Sequence, residues 1–425
     1  MQKKNNPLYD LHLPYWQQIR TFVRGMNDVK DYIQDVTSNI SVAGRLRNKE
    51  YKDRACYVNF PARTRNVFTG AVFRKPYEVE LTAGLDYLID NVNGADLSLE
   101  HLAKSCISNV IECGRHGLFV DYGVSAKIVQ YTAENITDWE TDEAGNLIMV
   151  ELITGKDTTK KLRIVDDVYL VEFYEKEELQ EVVEPTKADG SRFNYIPFVF
   201  VGSVDNSPDV DEMPLWAIVD LTRGHLQNSA DMEDIAKYMI PTPAVTAPNK
   251  SWVDEMLPNG TYTFGDGSVI PLPEGGTAIL LQAQENQMHS KLMEQKEDQL
   301  VKIGARIMTG ESSANKTAEA TRIEYSSENS VLDNLVGNVE TGIKWCLEVC
   351  GEFMGVDGEI VFRMNRDYYE EGTNPQMIMA LANMIDRAVL SDVAVFNYLK
   401  KTGIVGEEVT IDDIKSELSN YSNGL

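Results

Sequence analysis

The sequence has no apolar run of the roughly 18 residues needed to span a bilayer, and its start, Met1 to Pro7, lacks the apolar stretch of a secretory signal. We therefore expect no membrane segment, and we place the protein in the cytoplasm or in a particle assembled there. Cysteines are few and form no CxxC pair. We predict that all of them are reduced and buried in the core: Cys56, Cys106, Cys113, Cys346 and Cys350.

The short patterns that carry phosphate, metal or acyl-transfer chemistry are also missing. The sequence contains no GxxxxGK[ST], GxGxxG, HExxH or GxSxG. A histidine-based zinc site would need distant segments to converge, since the histidines are scattered at His12, His101, His116, His225 and His289. We therefore predict no enzyme activity, no catalytic residue, no cofactor and no metal.

The densest acidic group comprises Asp205, Asp209, Asp211 and Glu212. It lacks the glycine and terminal glutamate spacing of a calcium-binding loop. We interpret these residues as caps of the helix that follows rather than as a cation site.

Positive charge is scarce and unevenly placed. The 425 residues carry 40 lysines and arginines against 66 acids, a net charge of −26. Residues 1–76 nevertheless hold 14 basic and 6 acidic residues, so a basic end precedes an acidic remainder. This balance argues against a general nucleic-acid clamp. Either the basic end docks on an acidic partner, or its charges form a solvated surface.

The first half predicts helices followed by a sheet. Residues 12–41 have helical spacing, and residues 99–113 form an amphipathic helix that ends at Gly114. Valine, isoleucine and tyrosine then fill short runs separated by turn residues, which predicts one antiparallel sheet over residues 118–201. Its expected strands are Leu118–Tyr122, Lys127–Tyr131, Leu147–Ile153, Lys161–Val165, Val168–Tyr174 and Phe198–Val201.

The second half predicts two helices around a small β insert. A long helix is expected over 214–240, ended by Pro241 and Pro243, and a second over about 284–308. Prolines and Asn-Gly and Gly-Asp-Gly turns between them indicate a β-hairpin module over 241–283.

A longer helix follows a polar stretch at 309–316. It carries a seam with heptad spacing, Leu332, Val339, Cys346 and Phe353 with Val336, Ile343 and Cys350. We favour a helix packed within its own domain over an independent coiled coil, because three heptads are the minimum for the latter. Residues 366–425 are predicted to be helical and acidic. The fold class is therefore α+β.

This order of elements resembles the portal proteins of tailed double-stranded DNA bacteriophages. Short sequence motifs near both ends look like those of one portal class found in short phage genomes. Near the N-terminus they are Tyr15-Trp16, Gly25, Val29-Lys30, Glu50-Tyr51, Arg54-Ala55, Phe60, Arg63-Thr64, Gly70, Phe73 and Pro76. Toward the end they are Asn365-Arg366-Asp367-Tyr368 and Leu390-Ser391 to Gly403. The resemblance covers nearly the whole chain.

The resemblance implies a division into named parts of a ring subunit. They are a wing (1–213), a stem helix (214–240), a clip (241–283), a second stem helix (284–308), a tunnel loop (309–316), a long helix returning to the wing (317–365) and a crown (366–425).

The implied role is the ring-shaped channel at one capsid vertex, the head-tail connector, through which double-stranded DNA is packaged and ejected. The implied partners are further copies of the chain, usually in a dodecamer, the DNA in transit, the terminase large subunit, a head-tail adaptor, and the major capsid or scaffold protein. The implied location is the virion.

Specific residues follow from combining this resemblance with charge. A pore that lets DNA slide should repel phosphates, so we expect a mostly acidic lumen in which only Lys302, Arg306 and Lys316 contact phosphate. Trp252 and Tyr262 are candidates for partner contact in the clip. The basic residues Arg45, Arg47, Lys49, Lys52 and Arg54 are expected to face capsid or scaffold. Ordinary exposed cations and core aromatics remain alternatives for all of these.

Two other functions stay open at this point. Abundant acids would suit a hydrolase that uses a carboxylate pair, and ring formation would also suit a neck or adaptor protein. Neck and adaptor proteins are typically much shorter than 425 residues and lack the paired long helices.

Overall fold

Helices and antiparallel strands occur in separate blocks of the chain, which confirms the α+β class in this computed structural model. The structure describes residues 5–238, 242–245, 250–251, 254, 275–281, 288–300, 303, 318–366, 368, 393, 395–396, 400 and 410–411. The helices are α1 (Pro7–Arg24), α2 (Val42–Arg54), α3 (Phe60–Val72), α4 (Tyr87–Asp90), α5 (Leu99–Cys113), α6 (Trp216–Tyr238), α7 (Met288–Leu300) and α8 (Ala318–Met354). Short 3-10 helices span Met26–Tyr32 and Ala133–Asn135.

The strands between α5 and α6 form two antiparallel sheets, not the single sheet that the sequence predicted. The strands are β1 (Glu78–Glu80), β2 (Arg115–Tyr122), β3 (Ala126–Thr132), β4 (Ile136–Thr141), β5 (Leu147–Ile153), β6 (Thr158–Val165), β7 (Val168–Glu175), β8 (Glu178–Val183), β9 (Phe198–Gly202), β10 (Thr242–Val245), β11 (Ala278–Leu281) and β12 (Val361–Arg363). One sheet has the order β3-β2-β9 and the other β4-β5-β6-β7-β8. The 3-10 turn at Ala133–Asn135 interrupts the chain between β3 and β4, so the ladder does not continue from one sheet to the other.

The core of the larger unit is built where α8 crosses the three-stranded sheet and α5. All seven side chains of the predicted heptad seam are buried: Leu332, Val336, Val339, Ile343, Cys346, Cys350 and Phe353. A Cβ placed on Gly342 would come within 2.8 Å of Val201 Cγ2 in β9, so helix and strand approach as closely as a glycine allows. This long helix therefore packs within its own domain, as expected.

Four of the five cysteines meet the prediction and one does not. Cys106, Cys113, Cys346 and Cys350 are buried free thiols, and burial raises the pKa of each. Cys56 is exposed, which corrects the prediction that all five are buried. It follows the end of α2, where its backbone N–H donates to Ser229 Oγ at 3.0 Å and its exposed thiol lies 3.8 Å from the carbonyl oxygen of Arg54.

The acidic group before α6 stabilises a loop and does not cap the helix, which corrects the sequence interpretation. Asp211 Oδ2 accepts from the backbone N–H groups of Val204 and Asp205 at 2.7 and 3.2 Å. Asp205 Oδ1 accepts from Ser207 N at 2.8 Å. The helix begins two residues beyond Pro214, so these carboxylates close turns within residues 203–212.

The chain divides into two units. The first holds residues 1–70 and 78–363 and contains every strand named above. The second holds Ala71–Tyr77 and Met364–Leu425, in which Asn365 Nδ2 donates to the carbonyl of Val72 at 3.2 Å. Val393, Val395 and Phe396 are helical there, and the rest of the helices predicted for 366–425 falls almost entirely outside the described residues.

Candidate functional site: the paired helices α6 and α7

The feature that distinguishes the second half of the chain is a long helix that leads into a strand pair and back into a second helix. Four residues after α6, the chain enters β10, which pairs antiparallel with β11 from Thr242↔Leu281 to Val245↔Ala278. Met288, the first residue of α7, follows β11 by seven residues. The two helices contact each other. The pairing of Val245 with Ala278 brings together the two ends of the segment 246–277.

Two neighbouring polar contacts, at Gly224 and His225, join α6 to α7. Lys296 Nζ donates to the carbonyl oxygen of Gly224 at 2.8 Å, and a Cβ on Gly224 would lie 2.9 Å from that Nζ. His225 Nε2 lies 3.0 Å from Glu297 Oε1, with the imidazole buried against Phe60 in an edge-to-face contact. Burial lowers the pKa of Lys296, and the nearby Asp231 partly opposes that effect. The close approach at Gly224 thus gives the ammonium a backbone acceptor.

The remaining surface of α7 divides into two chemically different sides. His289, Met293, Lys296 and Leu300 form the half-buried to buried stripe, at the spacing of one helix face. One flank exposes ionised or polar groups, Ser290, Lys291, Glu294, Glu297 and Asp298. The other flank exposes only uncharged residues, Met288, Leu292, Gln295 and Gln299. An acidic flank and an uncharged flank therefore lie on opposite sides of the stripe that contacts α6.

Helix α2 packs on α6 through a chain of hydrogen bonds. The buried Tyr51 donates from its hydroxyl to Asp231 Oδ1 at 2.5 Å and accepts from Gln227 Nε2 at 2.8 Å. Burial raises the pKa of the Tyr51 hydroxyl, and the Asp231 carboxylate raises it further, so the hydroxyl stays protonated. Gln227 Oε1 also accepts from the backbone N–H of Gln34 at 2.9 Å.

Asp234 of α6 binds two arginines of α2 at once. Arg47 Nη2 and Arg54 Nη2 lie 2.5 Å from its two carboxylate oxygens. Only 13% of the Asp234 side chain is exposed. Burial works to raise the pKa of this carboxyl, but the hydrogen bonds and charges of Arg47 and Arg54 outweigh it and hold the pKa below its usual value.

The five basic residues predicted to face capsid or scaffold therefore have unequal surroundings. Arg47 and Arg54 pair with Asp234, and Lys52 Nζ lies 2.9 Å from Asp35 Oδ1. The guanidinium of Arg45 donates to the backbone carbonyls of Asn39 and Ile40 at 3.0 and 3.2 Å. Lys49 is exposed. Only Arg45 and Lys49 thus carry a charge that no carboxylate among the described residues neutralises.

The other predicted site residues lie outside the described residues. These are the phosphate-contact candidates Lys302, Arg306 and Lys316 and the clip aromatics Trp252 and Tyr262. Their roles stay predictions.

Sequence reasoning missed the α6 carboxylates and the polar link between α6 and α7. Asp231 and Asp234 are three residues apart, so they lie on one side of α6, and Arg47 and Arg54 are seven apart, so they lie on one side of α2. The sequence therefore shows one helix side with two aspartates and another with two arginines. It does not show that these sides meet, because Arg54 and Asp234 are 180 positions apart.

The described part of the chain lacks two other features. No group of three or more histidine, cysteine, aspartate or glutamate side chains there is arranged to hold a metal ion. Nor does a helix among those residues combine the length and apolarity of a bilayer-spanning segment.

A family described as "Domain of unknown function (DUF4055)" matches residues 214–354. The match begins just before α6 and ends at the last residue of α8, so it contains the paired helices, the strand pair and the long core helix. None of the curated protein sequences matches this chain significantly.

Several solved structures are similar to the chain at low identity. A chain in the virion of a native gene transfer agent (GTA) particle is 13% identical, with a TM-score of 0.47, over 78% of this chain and 86% of that one. A chain in the neck of an empty GTA particle computed with C6 symmetry is 12% identical, with a TM-score of 0.48, over 79% and 87%. An HK97 family phage portal protein from Corynebacterium diphtheriae is 10% identical, with a TM-score of 0.34, over 78% and 96%. The last of these chains is a phage portal protein, the class that the order of elements resembles.

Proposed function

We propose that this chain is a portal-like subunit of a phage-type particle. Copies of it would form a ring, most simply of twelve subunits, at one capsid vertex where head and tail join. Double-stranded DNA would pass through the ring during packaging and ejection. The terminase large subunit and a head-tail adaptor would dock in turn on the clip, residues 241–283.

The observation that carries the proposal is the helix pair α6 and α7 with the strand pair β10 and β11 at its end. The 23 residues of α6 extend about 35 Å at 1.5 Å per residue. Such a pair can line a channel when several copies stand side by side, and the segment between the strands then projects from one end of it. The order of sheet domain, helix, β insert, helix and long helix is the order on which the sequence resemblance rests.

The charge distribution supports a channel through which DNA slides. Each phosphate that a wall neutralises adds salt-dependent affinity, and affinity for the wall resists sliding. The exposed charged flank of α7 carries Glu294, Glu297 and Asp298 against Lys291 alone. If this flank faces the lumen, the wall repels the DNA backbone and so does not grip it.

In this proposal the chain is structural and the work of packaging is done by a separate ATPase. This division agrees with the sequence, which contains no GxxxxGK[ST] pattern for binding nucleotide phosphates.

The test is the mass and shape of the purified full-length protein. Mass photometry should find assemblies that are multiples of the 47.7 kDa chain, and negative-stain electron microscopy should show rings with a central hole. DNA binding should weaken steeply with salt only if the bore is cationic, so we expect weak binding at physiological salt. A stable single subunit, or a ring that retains duplex DNA tightly, would contradict the proposal.

A further inference from the structure

A groove with a volume of about 920 Å³ opens between α1, the segment that precedes α6, and α8. His12 of α1 borders this groove, and its apolar lining includes Val204, Val210, Met213, Pro214, Trp216 and Val331. Val204 and Val331 are 54% and 58% exposed, so the apolar lining is open to solvent. An exposed apolar concavity marks an interaction site more often than scattered exposed residues do.

The apolar surface continues from the groove onto α1. Leu8, Leu11 and Tyr15 are exposed and follow the spacing of one helix side, the side that carries His12. The ring of Tyr15 meets the ring of Trp216 edge to face, with 4.8 Å between the ring centres. The groove therefore has an apolar rim on α1 in addition to its apolar lining.

The charged residues that line the groove, Asp211 and Glu212, are both acidic. Asp211 is half-buried and accepts from two backbone N–H groups, whereas Glu212 is exposed and no ion pair reaches it from the described residues. Burial lowers the pKa of His12, and the charge of Arg115 lowers it further, so the imidazole adds no positive charge at neutral pH. We name the cavity and its lining residues the acidic groove, because it offers negative charge beside apolar area.

One side of α2 offers the complementary surface. Val42, Arg45, Leu46 and Lys49 follow the spacing of one helix side. Val42 is 74% exposed and Leu46 56%, and no carboxylate among the described residues neutralises Arg45 or Lys49. Apolar area and positive charge thus lie together on a single convex side of one helix. We name these four residues the α2 face.

We propose that the α2 face of one copy docks in the acidic groove of the next copy, and that this contact joins neighbouring subunits of the ring. An amphipathic helix laid into an apolar groove is a common mode of recognition. Val42 and Leu46, one turn apart, enter the apolar part of the groove, and Arg45 and Lys49 lie on its acidic side near Glu212. The inference rests on the proposed ring and names the surfaces that build it.

The occupant of the groove is a second copy, because the α2 face cannot reach the groove of its own chain. Helix α2 packs on α6 at Asp234, whereas the groove lies at Ala217, 17 positions or about 25 Å away along α6. Charge complementarity favours this occupant: the chain carries a net charge of −26, so copies repel one another except where opposite charges meet. A contact between two different surfaces of the same chain is heterologous, the kind that closes rings.

The first experiment cross-links the two surfaces in the full-length chain. Cys56→Ser removes the exposed thiol, and Leu46→Cys with Val331→Cys places one thiol on each surface. A short bismaleimide should then give a ladder of covalent multimers on denaturing gels, and each single-cysteine variant should stay a monomer. In the matched control Val124→Cys replaces Val331→Cys. Val124 is fully exposed and follows the end of β2 remote from Arg115, which binds the segment before α6, so this control should give no ladder.

The second experiment reverses the charge of the α2 face. Arg45→Glu with Lys49→Glu places like charges opposite each other, so we expect the concentration needed for half-assembly, read by mass photometry, to rise at least about tenfold. Adding Glu212→Lys to this variant restores an opposite pair and should lower that concentration again. The matched control, Lys156→Glu with Lys344→Glu, adds the same negative charge at exposed sites outside both surfaces and should assemble like the wild type.

The outcomes separate this inference from the proposed function. Wild-type rings without a covalent ladder from the cysteine pair, or with an equal ladder from the control pair, would overturn the inference and leave the proposed function standing. Normal rings of the charge-reversed variant would overturn it too, and if those rings failed to enter particles, the α2 face would instead be assigned to capsid or scaffold protein. Equal impairment of the lysine control, or no recovery with Glu212→Lys, would also overturn it. Wild-type protein that forms no ring would remove both.

Discussion

Replacing Asp234 by asparagine removes the charge that holds two arginines of α2 on α6. The carboxylate lies 2.5 Å from both Arg47 and Arg54 and is largely buried. Hydrogen bonds to charged groups contribute about 1.5–3 kcal/mol each, and the pair is partly open to solvent, since about a quarter of each arginine side chain is exposed. Asparagine can still accept one hydrogen bond. We therefore expect Asp234→Asn to cost about 2–3 kcal/mol.

Native-state hydrogen exchange measures this cost where it arises. Since Asp234 is one of the contacts that hold α2 on α6, its loss should appear as faster opening of α2, and 2–3 kcal/mol corresponds to exchange about 30- to 160-fold faster for the protected amides of α2. The matched control is Asp220→Asn on the same helix. Asp220 is half exposed, and its one ion-pair partner among the described residues is Arg223 at 2.7 Å, three residues on, so its loss should cost less than about 1 kcal/mol.

The change of stability with pH provides a second test of the contact between Asp234 and the two arginines. The folded state holds the pKa of Asp234 below its usual value, so the carboxylate contributes stability above the unfolded pKa, about 4, and loses it as pH falls through the folded value. The difference between wild type and Asp234→Asn should therefore shrink as the pH is lowered below about 4. Equal exchange in Asp234→Asn and Asp220→Asn at neutral pH would refute the reasoning that these arginines hold α2 in place.

Four further predictions rest on the described residues. Gly342→Ala should lower the free energy of unfolding by about 1–3 kcal/mol, because its Cβ would meet the buried Val201. Gly224→Ala should cost less than Gly342→Ala, by about 1 kcal/mol or less, since the end of Lys296 can move aside and the helix gains propensity, which offsets the hydrogen bond that Lys296 loses to the Gly224 carbonyl; urea titration of both variants compares them. A thiol reagent should label one cysteine, Cys56, in the native protein and all five after denaturation, whereas fast labelling of a second thiol would contradict the burial described above. Finally, Glu294→Lys with Asp298→Lys should make assembled rings retain duplex DNA, with affinity that falls as salt rises, and Glu294→Gln with Asp298→Gln should do so less; unchanged DNA binding at low salt would remove the charged flank of α7 from the lumen.

The strands show what alternation of apolar residues can predict. Leu147–Ile153 was predicted residue for residue as β5, and the five other predicted strands differ from the observed ones only at their ends. Each has a buried face, so valine, isoleucine and tyrosine mark it. β8 was missed because it has no buried side and is rich in glutamate, and its existence depends on the hydrogen bonds of β7 alone.

The partition into two sheets could not be predicted from the same pattern. Alternation specifies which residues form strands but not which edges meet. β2 uses its second edge for β9, nearly eighty residues away, and β4 pairs only with β5 among the strands described. The interpretation of the acids in residues 205–212 as helix caps was wrong for a related reason. Aspartates near a proline suit a helix start and a tight turn equally well, and the backbone geometry chose the turn.

The net charge of residues 1–76 does not describe the charge that their surface presents. The surplus of positive charge in residues 1–76 suggested one basic surface, but a sum over sequence ignores the packing of α2 on α6, which neutralises Arg47 and Arg54 from a distant part of the chain. At physiological salt a charge acts over a Debye length of about 8 Å, so a cation already bound to a carboxylate contributes little to recognition. Of the five cations, Arg45 and Lys49 are the two that no carboxylate among the described residues neutralises, and they lie beside the exposed Val42 and Leu46. If a partner docks on this side of α2, recognition by two charges and aliphatic contact should weaken only modestly as salt rises, whereas recognition by five free cations would be lost.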